Sequence, residues 1–294
     1  MSLKLFEGKQ ETIVAATQLK DEDQAQRWKG SAGCAWVEAQ QMLDRTLQPF
    51  EDLLVAEVAA SGAKRVLDVG CGTGSTTRAV ARLPGAGSVA VGIDISDQMI
   101  DAARMLTEQE GSHATFVCDD AQKHVFGAQK FDLIMSRFGV MFFEDSVQAF
   151  ANLRSAAADG CRMRSIVWRS PAANPFMTAA ERAAAPLLPN LQPRRPDAPG
   201  QFGFADERRV RSILEDSGWS EIDIRPIDVT CTLPEKELIR YGTRFGPVGI
   251  ALQEADTQTR AAVAAAVRAA FDPYVHGPEV RFTAACWMLA ATSP

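Results

Sequence analysis

Several features that mark particular protein classes are missing from this 294-residue sequence. Its six cysteines form no Cys-x-x-Cys pair and have no neighbouring histidine among the three in the chain, so we expect reduced thiols and no metal site. No apolar run approaches the roughly 18 residues that span a bilayer, and no positively charged segment leads into an apolar one near the first residue. These absences predict a cytoplasmic protein without a membrane partner.

Negative charge exceeds positive charge: the sequence has 31 lysine and arginine residues and 37 aspartate and glutamate residues, so the net charge is −6. A long nucleic-acid footprint requires a basic stripe and usually a basic total, so the composition argues against a nucleic-acid partner. Short basic pairs such as Arg194-Arg195 are interpreted as solvated faces. The 46% apolar content is enough for one large domain, or for a core domain with additional segments.

The most informative stretch is Val66-Leu67-Asp68-Val69-Gly70-Cys71-Gly72-Thr73-Gly74-Ser75, which predicts a buried strand, a glycine-rich turn and the start of a helix. Glycine at every second position allows a tight turn whose backbone N–H groups can approach a ligand. A dinucleotide-binding turn requires Gly-x-Gly-x-x-Gly, and Ser75 occupies its last position. Asp68 before the turn repels phosphates and favours a ligand that carries an ammonium or sulfonium group.

A second acid, Asp94, ends the next predicted strand, which covers residues 88–93. It follows Gly74 by twenty residues, the length of one βαβ unit, which brings it beside the glycine turn at the carboxyl edge of a parallel sheet. A carboxylate at this place can accept hydrogen bonds from both hydroxyls of a ribose. We prefer this interpretation to a helix cap, because the adjacent Ser96 and Asp97 already provide capping groups.

The stretch around Asp68 resembles motif I of class I S-adenosylmethionine-dependent methyltransferases, whose pattern is two apolar residues, Asp, an apolar residue and Gly-x-Gly-x-Gly. The resemblance covers residues 61–168 well, the N-terminal segment and the last strand more weakly, and is greatest to the ubiquinone/menaquinone-biosynthesis type. It implies S-adenosyl-L-methionine as cofactor, with S-adenosyl-L-homocysteine as product. It also implies an α/β, Rossmann-like, seven-stranded and mainly parallel sheet with helices on both faces and an antiparallel final strand.

The resemblance assigns cofactor-binding roles to residues at the strand ends and in the N-terminal lid. Met99 packs either on the adenine or in the core, Trp36 either covers the cofactor or packs in the core, and Asp119 competes with Asp120 for the adenine amino group. The implied cofactor set comprises Trp36, Asp68, Gly70, Cys71, Gly72, Gly74, Asp94, Ile95, Met99, Asp120, Ala121 and Ser136.

An apolar segment follows the fourth predicted strand. Its residues Phe138, Met141 and Phe142 form either part of the core or the wall of an apolar substrate pocket. The Asn/Asp-Pro-Pro-aromatic box of adenine-specific enzymes and the Pro-Cys dipeptide of cytosine-5 enzymes are both missing, which favours a small-molecule methyl acceptor of aromatic or apolar character. Transfer from a sulfonium needs mainly alignment and water exclusion, so the catalytic residues stay unassigned; weak candidates are His124, Arg137, Tyr241 and His276.

Four segments are expected along the chain: an N-terminal helical lid (1–60), a cofactor-binding core (61–170), an insertion or lid (171–205) and a C-terminal part of the core (206–294) with a helical insertion at 234–276. The chain is therefore predicted to transfer a methyl group to an O, N or C atom of a small molecule. The alternatives are a catalytically idle S-adenosylmethionine-binding or interaction protein and, less favoured, a nicotinamide-dependent reductase. No sequence pattern specifies the oligomeric state.

Three local predictions concern where elements begin and end. Pro49 predicts a helix boundary, with a separate helix over residues 50–60. Asp159-Gly160 predicts a turn before a fifth strand over residues 165–168, where the resembled family commonly has Lys-Pro-Gly-Gly. Gly246-Pro247-Val248-Gly249 predicts a turn between two helices.

Overall fold

A computed structural model of the chain describes residues 24–85, 89–192, 194 and 198–294. Its described strands form one sheet: β1 Arg65–Val69, β2 Val89–Asp94, β3 Thr115–Cys118, β4 Phe131–Arg137, β5 Ala157–Trp168, β6 Ser220–Pro234, β7 Val275–His276 and β8 Glu279–Thr292. The strand order is β3-β2-β1-β4-β5-β8-β6, and the two-residue β7 pairs with β8. Strands β1 to β5 are mutually parallel, whereas β8 runs antiparallel to both β5 and β6. The predicted α/β fold, with a mainly parallel sheet and an antiparallel final strand, is confirmed.

Helices connect the parallel strands and cover both faces of the sheet. The described α-helices are α1 Gln24–Lys29, α2 Ser31–Glu38, α3 Gln40–Ser61, α4 Ser75–Ala81, α5 Asp97–Glu110, α6 Ser146–Ala156, α7 Ala179–Ala184, α8 Glu207–Asp216, α9 Leu238–Arg244, α10 Gly246–Ala251 and α11 Thr257–Ala270. Helix α3 packs on β4, β5 and β6, α5 packs on β2 and β3, and α8 packs on β6 and α6. The central strand β1 is buried from Val66 to Val69, as expected for a parallel strand covered on both faces.

Helix α3 continues through Pro49, so the predicted boundary at that residue is wrong. Proline inside a helix removes one backbone hydrogen bond and costs about 3 kcal/mol. An uninterrupted helix keeps a single apolar face against the sheet, and full burial of one large apolar side chain contributes about 1.5–3 kcal/mol. That face comprises Met42, Leu43, Leu47, Phe50, Leu54 and Val58, all buried. Packing of this face outweighs the local cost of the proline.

Two predicted turns are also wrong. Asp159-Gly160 lies within β5, which begins at Ala157, and the register against β4 shifts there, so that the chain bulges without leaving the sheet. The Gly160 N–H donates to the Ser293 carbonyl at 3.0 Å, which pairs the bulge with the end of β8. Residues 246–251 form α10 instead of a turn, with Pro247 in the first helical turn, where its missing N–H costs no hydrogen bond.

Some sequence-based predictions lie outside the described residues. These are residues 1–23 of the N-terminal lid, Ser88 at the start of the second strand, and residues 193 and 195–197 of the insertion, including Arg195 of the basic pair. Within the described ranges, no helix has both the length and the apolar character needed to cross a membrane.

Candidate functional site

The glycine turn joins β1 to α4 at the carboxyl edge of the sheet. Gly70 and Gly74 have positive φ values of 65° and 79°, and neither has space for a side chain. A Cβ on Gly70 would lie 2.6 Å from the Gly139 Cα, and a Cβ on Gly74 would lie 2.6 Å from the Phe116 ring. These two glycines therefore allow the loop after β4 and the ring from β3 to pack against the turn.

Gly72 has a different environment. It also has a positive φ, 56°, but a Cβ there would meet no atom closer than Met99 Sδ at 3.7 Å and Trp36 Nε1 at 3.8 Å. Gly72 thus faces the space between the turn, α5 and the lid helix α2. The structure brings Trp36, Met99 and the centre of the turn together, as the resemblance implies for a cofactor site.

Asp94, the last residue of β2, is fixed to the turn by its buried carboxylate. Its Oδ2 accepts from the Gly72 N–H at 2.9 Å, and its Oδ1 accepts from the Ser96 N–H at 2.9 Å. Burial raises the pKa of Asp94, and these backbone hydrogen bonds oppose that rise. An ionised carboxylate has about four acceptor positions, so two remain for a ligand. Ile95 follows and is half-buried.

Cys71 packs beneath the turn. A Cβ on Gly92 would lie 2.7 Å from the Cys71 Sγ, which shows how closely the thiol approaches β2. Burial raises the pKa of this thiol well above its ordinary value, so the group stays protonated and unreactive.

The two acids after β3 have separate partners. Asp119 is exposed, and its Oδ2 lies 2.7 Å from the His124 Nδ1; this hydrogen bond holds the pKa of Asp119 below its usual range. Asp120 is half-buried, and its Oδ1 accepts from the Gln122 N–H at 2.9 Å. Ala121 is buried beside them. His124 is therefore held by Asp119, whereas Asp120, the acid next to Ala121, pairs among the described side chains only with the exposed Lys123, at 3.8 Å.

A buried charged cluster lies below the turn, formed by Asp44 and Glu51 of α3, Asp68 of β1 and Arg137 of β4. The Arg137 guanidinium lies 3.8 Å from Glu51 and 4.0 Å from Asp44, and it donates to the Ser75 hydroxyl at 2.9 Å. Three carboxylates around one guanidinium give the cluster an excess of negative charge when all are ionised. Such a cluster favours a ligand with a cationic group.

Burial affects the titration of this cluster. It raises the pKa of Asp68 to about 6, although a hydrogen bond from the Thr77 hydroxyl at 2.7 Å and the positive charge of Arg137 act in the opposite direction. Burial also raises the pKa of Asp44, whose carboxylate accepts a hydrogen bond from Gln40. Burial thus disfavours the ionised form of both carboxylates, and a bound cation would stabilise that form.

Buried polar atoms without a hydrogen-bond partner are concentrated at this edge of the sheet. Among the described residues they are Asp68 Oδ1, Ser96 Oγ, Gln24 Oε1, Arg27 Nε and Trp28 Nε1, together with three atoms that are ion-paired without a hydrogen bond: Glu51 Oε2 and Arg137 Nη1 with each other, and Arg78 Nε with Glu110. A buried polar group left unpaired costs about 1–3 kcal/mol. Folding alone does not satisfy these atoms, so their clustering around the glycine turn and the lid indicates a binding site.

Most of the predicted site residues at the end of β4 and after it pack in the core, and one faces the lid. The Ser136 hydroxyl donates to the Val69 carbonyl at 2.8 Å and accepts from the Gly139 N–H, so it fastens β4 to β1. Phe138 is buried in the core and stacks on Trp168 with ring centroids 4.3 Å apart. Met141 is likewise buried, and its sulfur accepts from the Trp168 N–H. Phe142, in contrast, is half-buried and faces the lid, where its ring contacts Trp28.

Two weak catalytic candidates lie apart from the turn. Tyr241 of α9 is half-buried among Phe245, Phe271 and Phe282, and burial raises the pKa of its phenol, so the group is a neutral hydroxyl near pH 7. It belongs to an aromatic series that reaches the site through Phe245 and Trp36. His276 is exposed in β7 and is not brought to the site by the fold.

The part of the chain that contains the glycine turn and Asp94 matches a known family. Residues 66–160 match the family model for a methyltransferase domain. Residues 66–160 form a class I methyltransferase domain. The resemblance drawn from motif I is thereby confirmed.

Curated relatives resemble the methyltransferase domain over part of their length. Aklanonic acid methyltransferase DauC of Streptomyces sp. (strain C5) is 35% identical over 101 residues, which are 34% of this chain and 46% of that protein. Ubiquinone biosynthesis O-methyltransferase of Coxiella burnetii (strain Dugway 5J108-111) is 38% identical over 71 residues, 24% of this chain and 29% of that protein. The chain thus spans less than half the length of each of these two relatives.

Solved structures resemble the methyltransferase domain together with its surrounding elements. The structure of magnesium protoporphyrin IX methyltransferase (ChlM) from Synechocystis PCC 6803 with bound SAH has a TM-score of 0.54 and 18% identity, covering 93% of this chain and all of that one. YcgJ from Bacillus subtilis also has a TM-score of 0.54, with 15% identity over 82% of this chain. At these identities the likeness concerns the fold.

Sequence reasoning missed the part of the site contributed by α1 and α3. Asp44 and Glu51 are seven residues apart, so they share one side of the helix with the buried Leu47, and two acids on an otherwise apolar face were the available signal. Gln24 and Arg27 gave no comparable signal, because polar residues on a short helix near a chain end are common on solvated surfaces.

Proposed function

We propose that this protein binds S-adenosyl-L-methionine at the glycine turn and transfers its methyl group to an O, N or C atom of a small aromatic or apolar molecule. The observation that carries the proposal is Asp94, a buried carboxylate that accepts from the Gly72 N–H at the centre of the turn, where its negative charge disfavours a phosphate. The names of the two curated relatives, which refer to aklanonic acid and to ubiquinone biosynthesis, support a small organic acceptor.

The adenosine end of the cofactor is assigned to β2, β3 and the lid. Asp94 has two remaining acceptor positions for ribose hydroxyls, and the buried Ser96 hydroxyl beside it has no partner among the described residues. Met99 and Trp36 lie beside Gly72 and supply a thioether and an indole for a planar base. We assign Asp120, with Ala121, to the adenine edge.

The amino-acid end of the cofactor is assigned to the charged cluster. An amino acid carries an ammonium and a carboxylate, and the cluster holds groups of both complementary signs: Asp68 Oδ1 has no hydrogen-bond partner among the described residues, and Glu51 Oε2 and Arg137 Nη1 lie 3.8 Å apart without a hydrogen bond. The Arg137 Nη1 suits a carboxylate, whereas the oxygens of Asp68 and Glu51 suit an ammonium. This places the weak catalytic candidate Arg137 in cofactor binding.

The bound cofactor supplies a methyl group already activated by a sulfonium. The chain's own contribution is to align the partners and exclude water, and α1 and α2 cover the site for that purpose. Gln98 holds this lid by accepting from the Cys34 thiol at 3.2 Å and donating to the Lys29 carbonyl at 3.0 Å. We assign the lids, including residues 1–60 and 171–205, to acceptor selection.

Calorimetric titration with S-adenosylhomocysteine and with NADH tests the proposal. We expect micromolar binding of the former and none of the latter, followed by transfer of labelled methyl from S-adenosylmethionine to a member of a panel of aromatic acceptors. Binding of NADH, or no binding of either S-adenosyl compound at several hundred micromolar, would contradict the proposal. Cofactor binding without any methyl transfer would support the idle binding protein instead.

Asp94→Ala tests the residue that carries the proposal. We expect it to weaken S-adenosylhomocysteine binding by about 1.5–3 kcal/mol, because charge-assisted hydrogen bonds to the ribose are lost. Asp94→Asn keeps an acceptor for one backbone N–H and should lose affinity with less effect on stability. Asp101→Ala is the matched control, since Asp101 is exposed on α5 and pairs with Arg104. Unchanged affinity in both Asp94 variants would show that the ribose is bound elsewhere.

A further inference from the structure

Helix α1, Gln24–Lys29, crosses the site between its acceptor side and its adenosine side. At its first residue, the Gln24 N–H donates to Glu144 and the Gln24 side chain donates to the Pro199 carbonyl, which ties this end to the loop after β4 and to the insertion. At its last residue, the Lys29 carbonyl accepts from Gln98 of α5 at 3.0 Å. The middle of α1 therefore lies between the loop after β4 and the start of α5.

Three polar atoms of α1 are buried and have no hydrogen-bond partner among the described residues: Gln24 Oε1, Arg27 Nε and Trp28 Nε1. Residues three and four apart on a helix share one side, so Gln24 is adjacent to both Arg27 and Trp28. Two of the atoms are donors, one from a guanidinium and one from an indole, and the third is an amide acceptor. An unpaired guanidinium nitrogen in a buried position is the costliest of the three to leave unsatisfied.

Aromatic rings flank these polar atoms. The Trp28 ring makes edge contacts with Phe142 at 5.0 Å and with Trp36 at 5.9 Å, measured between ring centroids. Trp36 in turn contacts Phe245 of the C-terminal part at 6.2 Å and lies beside Gly72. These rings contact one another and form one apolar surface on which a planar ring can pack, and Trp28 also supplies an N–H donor.

Arg27 differs from other arginines of the lids, whose positive charges are compensated by ion pairs. Arg194 of the insertion pairs with Glu181, and Arg244 of α9 pairs with Glu38, whereas Arg27 has no ion pair among the described residues. Glu144, an acid that α1 contacts, is exposed and accepts from the Gln24 backbone. Arg27 is thus available to an anionic group on a ligand.

From these contacts we infer that Arg27 and Trp28 recognise an anionic oxygen of the methyl acceptor, which is an aromatic acid. The carboxylate accepts from Arg27 Nε and Trp28 Nε1, the acceptor ring packs on the aromatic cluster of Trp28, Trp36 and Phe142, and Gln24 accepts from a hydroxyl or amine on the same molecule. Charge-assisted hydrogen bonds to a carboxylate are about twice as strong as neutral ones, so the acid is preferred to a neutral analogue. The inference rests on the proposed function, because it names the acceptor class of that site.

The test compares two ring-matched probes, 1-hydroxy-2-naphthoic acid and 1-naphthol, titrated calorimetrically into the protein saturated with S-adenosylhomocysteine. We expect the acid to bind at least tenfold more tightly than the naphthol. Arg27→Gln should weaken acid binding at least tenfold and leave naphthol binding within twofold. Trp28→Phe keeps the ring and removes the N–H, so it should weaken acid binding by about threefold to tenfold.

Lys29→Gln is the matched control, because Lys29 is exposed on the same helix and contacts α5 through its backbone carbonyl, which the substitution leaves in place; it should change neither affinity. Equal weakening of both probes by Arg27→Gln would mean that Arg27 supports the lid and does not recognise an anion. Equal binding of the two probes, or binding of neither at millimolar concentration, would likewise overturn the inference. Titration with S-adenosylhomocysteine alone separates these outcomes from a failure of the proposed function, which would abolish that binding.

Discussion

The two halves of the sheet differ in whether their buried polar groups are hydrogen-bonded. At the carboxyl edge of β1, β2 and β4, Asp68, Glu51 and Arg137 are buried with atoms that have no hydrogen-bond partner among the described residues. Near β5 and β8, the buried Asn174 uses its whole amide: its oxygen accepts from the Ala285 N–H at 2.8 Å, and its nitrogen donates to the Ala285 carbonyl at 2.9 Å. Trp287 donates from its indole to the Ala205 carbonyl in the same half.

This difference separates binding from stability within one domain. A fully paired polar group such as Asn174 fixes the connection between a strand and the insertion, and its removal should damage folding. A buried group left unpaired destabilises the folded chain and is retained where a ligand supplies the missing partner. Substitutions in the two halves are therefore expected to have effects of different kinds.

The largest effect is expected from Gly74→Ala. A methyl group there would lie 2.6 Å from the Phe116 ring and about 3 Å from the Ala103 methyl, at a φ of 79° that disfavours residues with a side chain. We expect a loss of about 2–5 kcal/mol in the free energy of unfolding, measured by urea denaturation. Gly72→Ala is the matched control: it has the same kind of backbone but meets no atom within 3.7 Å, so it should lose about 1–2 kcal/mol of stability and mainly weaken S-adenosylhomocysteine binding. Equal stability losses would show that the two glycines have the same role.

A smaller loss is expected from Asn174→Ala, which leaves the Ala285 N–H without its partner. We expect about 2–3 kcal/mol of lost stability and no change in cofactor affinity, because Asn174 lies outside the glycine turn. Asn190→Ala, at an exposed position of the same insertion, should change neither quantity. Cofactor affinity that falls in Asn174→Ala at a temperature where the variant is fully folded would break the separation between the two halves.

Much of the fold was predictable because the parallel strands and their glycine turn are determined by local sequence patterns. Residues 66–69 are apolar except for Asp68, which predicts a buried strand. The spacing from Gly74 to Asp94 matches one βαβ unit, so the neighbouring strand near the site also followed from the sequence. The helix boundary predicted at Pro49 was wrong for a physical reason. Its local preference to end a helix is overridden by packing of α3 on the sheet, and that packing is a property of the assembled chain.

The site was predictable where chemistry and spacing coincide in sequence, as at Asp94. It was not predictable where distant elements meet. Asp44 and Glu51 approach Arg137 across α3 and β4, a contact between residues more than eighty positions apart that no local pattern records. Phe138 and Phe142 illustrate the same limit, since four residues separate a core ring from a ring that faces the lid.

A third substitution, Asp68→Asn, should improve stability while it weakens binding. Burial raises the pKa of Asp68 to about 6 from an ordinary value of 3.8. Between about pH 4 and pH 6 the folded chain therefore keeps a proton on Asp68, whereas the unfolded chain has already released it. Stability associated with this proton is present below pH 4 and is lost as the pH rises through 6. Asn carries no charge, so the variant should gain about 1–2 kcal/mol at pH 8 and almost nothing at pH 4, measured by urea denaturation of the ligand-free protein.

The matched control is Asp132→Asn at the opposite edge of the sheet, where Asp132 is exposed and accepts from the Lys64 and Arg65 N–H groups. It should not gain stability at pH 8 and should keep its affinity for S-adenosylhomocysteine, whereas Asp68→Asn should lose about tenfold. A stability gain in both variants would indicate a general effect of negative charge on this acidic protein instead of a local one at the site.

The smallest effect is expected at the contact between the two lids, where Arg244 of α9 pairs with Glu38 at the end of α2 at 2.5 Å. Both side chains are about half exposed, so solvent screens the pair and Glu38→Gln should cost less than about 0.5 kcal/mol of stability. The same substitution loosens α2, which carries Trp36 over Gly72, so the dissociation rate of S-adenosylhomocysteine, followed by tryptophan fluorescence, should rise about twofold to threefold. Arg240 keeps its own hydrogen bond to the Glu38 carbonyl in this variant and limits the change. If neither Glu38→Gln nor high salt changes the dissociation rate, then aromatic packing of Trp36 on Phe245 alone holds these helices together.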